Sequence, residues 1–308
     1  MIRPLPKPRP FPRPRPLRLH RKRKVTIALH IEGASWLLTA TDTQETYTSG
    51  EKVESGKIIS YGRAQPLGSI SIAGSGDSEY IRAASQELER KFQRSSAATV
   101  DELETELRDA ARGFYTEHVL PFVGKFDDEN VPDYSLLVAA THGNEGKLWN
   151  VERTMMTDAA LYDCIGAGKP AADSLLNRLY PLYPTLDSLA ILAAYVIYRV
   201  KNTVDGCGLK TEIRFIKQGT FGIGIVPPDR IDRWEGLFRK YDRLEREVFY
   251  HAMNFMVSPP VPRFPTLPEL PAFPPQMKPL PEIAQEIGEI RAEFAKLPIL
   301  KPPQAQEK

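Results

Sequence analysis

Cysteine is nearly absent from this chain of 308 residues, with Cys164 and Cys207 the only two. Two thiols so far apart cannot build a disulfide framework, and their spacing suits neither a Cys-x-x-Cys redox pair nor a zinc site. A reducing compartment follows, and the protein is expected to be cytoplasmic. Long apolar runs are missing too. The best candidate, residues 186–200, is interrupted by Asp187 and closes on Arg199 and Lys201, short of the roughly 18 apolar residues that span a bilayer. The N-terminus starts basic, but Leu29, Ile31 and Leu37 alternate with polar residues, so no secretory signal is read there. The five histidines, His20, His30, His118, His142 and His251, show no His-x-x-x-His spacing, and neither a metal nor a cofactor is expected. Gly168-Lys169-Pro170 ends like a phosphate loop. It has Asp163 in place of the first glycine and Pro170 in place of the metal-binding hydroxyl, so it cradles no phosphate.

Proline is scarce only in the middle of the chain. Of 28 prolines, 7 lie in residues 1–24 and 13 in residues 259–308, which leaves eight for everything between. Proline-rich chain cannot complete backbone ladders. Residues 25–258 therefore read as the folded domain, with a basic arm (1–24) before it and a proline-rich tail (259–308) after it. The arm holds 10 of the 41 Lys and Arg and no acid, so the rest carries 31 basic against 39 acidic residues. Such an arm is expected to take an extended polyproline II form and to bind polyanions weakly. Pro262-Arg-Phe-Pro265-Thr-Leu-Pro268 in the tail matches a Pro-x-x-Pro ligand but reads as a linker.

From Val25 the apolar pattern has period two. Ile27, Leu29 and Ile31 form one strand face, and Trp36, Leu38 and Ala40 its hairpin partner after Glu32-Gly33. Short strands follow at 57–61 and 69–73, the latter running into Gly74-Ser75-Gly76-Asp77. Two helical stripes come next, Ile81, Ala84, Leu88, Phe92 and Leu103, Leu107, Ala110, Phe114. The second half repeats the theme. A hairpin spans 135–140 and 147–151 around His142-Gly143-Asn144, helices span 170–180 and 186–204, and strands at 211–216 and 221–226 precede a charged helix over 229–255. The tail offers one amphipathic helix, 281–297. Strands and helices in separate runs predict an α+β class, with sheets packed face to face and helices outside.

Three residues stand at the strand ends of this layout. Thr26 opens the first strand, Asp42 ends its partner and Lys57 begins the next, so a compact arrangement brings them to one edge. Their chemistry would be that of an N-terminal nucleophile. Cleavage at Val25-Thr26 would free an α-amine as base for the Thr26 hydroxyl, with the Lys57 ammonium tuning it and Asp42 holding Lys57.

The ordered series Thr26-Ile-Ala-Leu, Leu-Thr-Ala-Thr-Asp42-Thr-Gln, Lys57-Ile-Ile, Ser-Ile-Ala-Gly74-Ser-Gly-Asp77 and Ile165-Gly-Ala-Gly168 resembles the proteasome β-subunit family and its bacterial relatives over 25–226. The resemblance implies a four-layer αββα sandwich of the N-terminal nucleophile type. It also implies self-assembly as a ring or helix, peptide or unfolded-protein substrates, and a place for an unfoldase. Carried over, Thr26 matches the nucleophile, Asp42 and Lys57 the charged pair, and Gly74 the oxyanion donor. This sequence departs from the family at several points. The Asp42–Lys57 interval is one residue short, Ala167 stands where a supporting serine is usual, the later supporting aspartate falls on Asn202 or Asp205, and Val25 replaces a glycine. Two readings stay open: a threonine endopeptidase active once residues 1–25 are removed, and a catalytically silent scaffold of the same fold whose basic arm tethers partners.

Overall fold

The computed structural model describes residues 26–46, 51–123, 131–256, 278–297 and 300. The arm 1–24 and most of the tail, including the Pro-x-x-Pro stretch, lie outside the described residues. The chain begins with the expected hairpin, β1 (Ile27–Glu32) and β2 (Trp36–Asp42). Its turn is closed by Gly33 N–H donating to the Trp36 carbonyl at 2.8 Å. A small two-stranded extension, β3 (Gln44–Thr46) and β4 (Lys52–Glu54), leads to β5 (Ile58–Arg63) and β6 (Gly68–Gly76). The remaining strands are β7 (Tyr134–His142), β8 (Glu145–Glu152), β9 (Met155–Asp158), β10 (Tyr162–Gly166), β11 (Thr211–Lys217) and β12 (Ile223–Ile225). They form two five-stranded antiparallel sheets, ordered β10-β1-β2-β11-β12 and β5-β6-β7-β8-β9.

Because strand side chains alternate, each sheet has one outer and one inner face. The outer face of the second sheet carries Ile70, Ile72, Leu136, Val138 and Trp149. It packs against α1 (Ser78–Arg94) and α2 (Val100–His118) through Leu88, Phe92, Leu103 and Leu107. The outer face of the first sheet, led by Ile27, Leu29, Ile31 and Leu38, packs against α3 (Lys169–Leu179) and α4 (Leu186–Thr203). The result is the four-layer αββα sandwich. α4 is apolar on nearly every side because α5 (Pro228–Met256) covers it from outside, with Trp234 and Phe238 joining the same core. Truncating a buried leucine in such a helix costs about 2–5 kcal/mol.

Local chemistry fixes the helix starts. Asp77 caps α1 by accepting from Glu79 N–H, and Thr185 with Ser188 forms a capping box at α4. In the tail, α6 (Leu280–Ala295) folds back on α5, burying Ile283 and Ile290 against Leu237 and Leu244. Beyond it, Leu300 N–H donates to the Asp187 carboxylate at 3.0 Å, which Arg230 also engages at 2.9 Å. Among the described residues, no helix is long and apolar enough to cross a membrane.

Candidate active site

One end of the sandwich brings together three of the four residues singled out in the sequence. β1 and β2 pair in a register that continues outward from Ala28 and Thr41 to Ile27 and Asp42, so the start of one strand meets the end of the other. Thr26 is buried there. Its hydroxyl donates to Asp42 Oδ1 at 2.6 Å and accepts from Lys57 Nζ at 2.5 Å. Lys57 also donates to Asp42 Oδ1 at 3.0 Å and to the Gln44 carbonyl. An ammonium has three protons and no acceptor, and all three are used here. Lys57 therefore has no proton-accepting capacity left beside the hydroxyl.

Asp42 is completely buried and fully partnered. Besides Thr26 and Lys57, Oδ1 accepts from Ile27 N–H at 3.1 Å, and Oδ2 accepts from Gly208 N–H at 3.0 Å. Spacing placed Asp42 behind Lys57; the structure bonds it directly to the threonine. The β10–α3 turn presses on the same residue. Gly166 adopts φ +100°, and a Cβ on it would lie 2.2 Å from the Thr26 carbonyl oxygen. Gly168 N–H donates to that carbonyl at 3.4 Å.

Gly74 lies on β6 just past Ala73, the last residue paired with β5, so Lys57 stands opposite it in the continued register. A Cβ at Gly74 would fall 2.2 Å from Ile81 of α1, which explains the glycine by packing. The next residue, Ser75, has its hydroxyl 2.9 Å from the point a Gly166 Cβ would occupy, so this end of β6 borders the Thr26 backbone. Ala167 is exposed in the β10–α3 turn and brings no hydroxyl. Asn202 turns back on its own helix, donating to the Tyr198 carbonyl at 2.8 Å, and Asp205 is exposed.

The loop that reaches the site after α4 is 206–208. Gln44 Nε2 donates to the Gly206 carbonyl at 2.9 Å, Gly208 holds Asp42, and Cys207 is buried between them. Burial, and then the Asp42 carboxylate, push the Cys207 thiol up to about 12 against the pull of Lys57 and a Gly168 N–H bond. It is protonated at neutral pH and is no competitor for the nucleophile's role. In the sequence, Gly168 is singled out only within the family-like run, and Gly206 and Gly208 are not singled out. The signal available was a Gly-x-Gly pair at the start of α3 and another just after α4. Among the described residues no group of His, Cys, Asp and Glu could hold a metal ion.

No family model and no curated protein matches this chain. Solved structures do. Anbu (ancestral β-subunit) from Yersinia bercovieri aligns with TM-score 0.58 and 12% identity over 77% of this chain and 100% of its own. The helical assembly of the Anbu complex from Pseudomonas aeruginosa aligns with TM-score 0.59 and 14% identity over 72% of this chain and 96% of its own. Anbu from Hyphomicrobium sp. strain MC1 aligns with TM-score 0.58 and 12% identity over 71% and 95%. About a quarter of this chain thus lies outside the shared part. What the structures share with this chain is its architecture of two helix-flanked antiparallel sheets: the chain has the fold of Anbu, the ancestral proteasome β-subunit.

Proposed function

We propose that the chain is a subunit of a self-assembled, proteasome-like threonine endopeptidase whose nucleophile, Thr26, becomes competent when residues 1–25 are removed. The observation that carries this reading is the Thr26 hydroxyl held between Asp42 at 2.6 Å and Lys57 at 2.5 Å at the mouth of the sheet pair. While Val25 is attached, the Thr26 nitrogen is an amide and cannot act as a base. Cleavage converts it to an amine, which takes the hydroxyl proton as the oxygen attacks a peptide carbonyl. The leaving amine takes the proton back, and water then hydrolyses the Thr26 ester. The Lys57 charge favours the unprotonated amine and the developing alkoxide. Gly74 N–H is assigned to the oxyanion. Assembly is supported by the relative whose structure is a helical Anbu complex. The acidic body and the enclosed threonine suit peptide or unfolded-protein substrates, with an unfoldase as the partner that would deliver them.

A second reading, the catalytically silent scaffold, is favoured by Ala167, which leaves the nucleophile's amine without the usual hydroxyl neighbour. One experiment separates the two. A chain beginning at Thr26, released from a cleavable fusion, is treated with a peptide epoxyketone, which forms its ring only with a free amine and hydroxyl on one residue. A mass adduct on Thr26 in assembled protein supports the peptidase. Its absence on well-assembled protein transfers the assignment to the scaffold.

A further inference from the structure

The two outer interfaces of the sandwich are apolar, whereas the space between its sheets mixes two small apolar clusters with buried polar side chains. Residues opposite one another in a ladder share a face. The registers therefore set Asp163, His30, Thr39 and Arg214 in one transverse row across β10, β1, β2 and β11. Ala28, two residues before His30, packs on Ala73 and Leu137 of the other sheet, and Leu37, two before Thr39, packs on Ala139 and Leu148. The row thus faces the second sheet. His30 and Thr39 are fully buried, yet both ring nitrogens of His30 and the Thr39 hydroxyl have no protein partner among the described residues. The same holds for the Thr41 hydroxyl on the neighbouring row, the Ser69 hydroxyl on the facing sheet and Asn150 Oδ1.

A neutral imidazole needs one donor and one acceptor, and a buried hydroxyl needs at least one partner. So many unpaired groups in one layer are not tolerated unless ordered water pairs them. The row also reaches solvent at both ends. Asp163, bonded to Lys169 at 2.6 Å and Asn150 at 2.7 Å, is 19% exposed, and Arg214, paired with Glu212, is 24% exposed.

We propose that a file of ordered water molecules crosses the sandwich along this row, bridging His30 to the hydroxyls of Thr39, Thr41 and Ser69. Thr41, on the neighbouring row, immediately precedes Asp42, so the water bonded to it stands behind the Thr26 site. The assignment holds whether or not that site is catalytic.

The test uses the full chain. A crystal structure at about 1.5 Å resolution should show water peaks within roughly 3.3 Å of the His30 nitrogens and the Thr39 hydroxyl. Thr39→Val removes the hydroxyl at constant shape, so in a hydrated row it deletes a water bond and lowers Tm by about 2–4 °C. In a dry row the same change removes an unpaired polar group and raises Tm. Water peaks with a lowered Tm support the file. Either a row without water density or a raised Tm overturns it.

Discussion

Thr26, Asp42 and Lys57 share a single hydrogen-bonded knot, so their substitutions should not act independently. In the processed chain, Thr26→Ala should abolish peptide hydrolysis and epoxyketone labelling together. Lys57→Ala should lower kcat by on the order of 10²–10³ by removing the fixed charge. Asp42→Asn should be comparably harmful, because Oδ1 accepts from Thr26, Lys57 and Ile27 at once and an amide oxygen cannot balance the lysine. Steady-state kinetics on the three variants check this, and a mild Asp42→Asn phenotype would count against the direct bond.

His30 makes a second prediction. Burial lowers its pKa to about 3, against a weaker opposing pull from Asp163, so between about pH 6.5 and 3 the unfolded chain binds a proton that the native chain does not. Stability contributed by the neutral imidazole is therefore present above the unfolded value and lost as pH falls. The loss amounts to about 1.4 kcal/mol per pH unit from this group alone. Urea midpoints measured from pH 7 to pH 5 should fall in the parent and fall less in His30→Gln.

At the scale of elements, the sequence was legible wherever a period was sustained. The β1–β2 and β7–β8 hairpins and the six α-helices of the described residues stand close to where alternation and helical stripes put them. β3, β4 and β9 were not legible, because three or four residues are too few to show alternation. β10 was read only as a glycine-rich approach to a helix. The site divides the same way. Thr26, Asp42 and Lys57 are side chains at strand ends and are picked out by the ordered family-like series rather than by spacing alone, whereas Gly168 and Gly208 act through backbone N–H groups that any residue possesses. α6 was expected from its stripe, but its partner was not, since nothing in the stripe says which helix it will meet. Its docking gives a third prediction. Ile290→Asp should release α6, seen as faster amide exchange across 280–295, and should change exchange in β1 and β2 far less, because the α5–α6 cluster is separate from the sandwich core, which this segment meets at Phe294 and Leu297.

For the whole molecule, the apolar clusters between each sheet and its helices are much larger than the two that join the sheets, so each sheet draws its stability from the helices behind it more than from the other sheet. Full-length chain should sediment well above 34.7 kDa at micromolar concentration, and so should a chain lacking residues 1–25 if the folded body makes the contacts. A monomer in both would overturn the assembly proposal, and a monomer only in the shortened chain would assign the contacts to the arm.

The position of β1 within its sheet bears on maturation. β1 is an interior strand, paired along five residues with β10 on one side and five with β2 on the other. Its first residue is held further by the Thr26 carbonyl and the Ile27 N–H. Severing the chain before Thr26 therefore cuts none of the rungs that join the described residues. If residues 1–25 are excised as proposed, the Thr26 carbonyl and the Ile27 N–H keep the partners that they have in the intact chain.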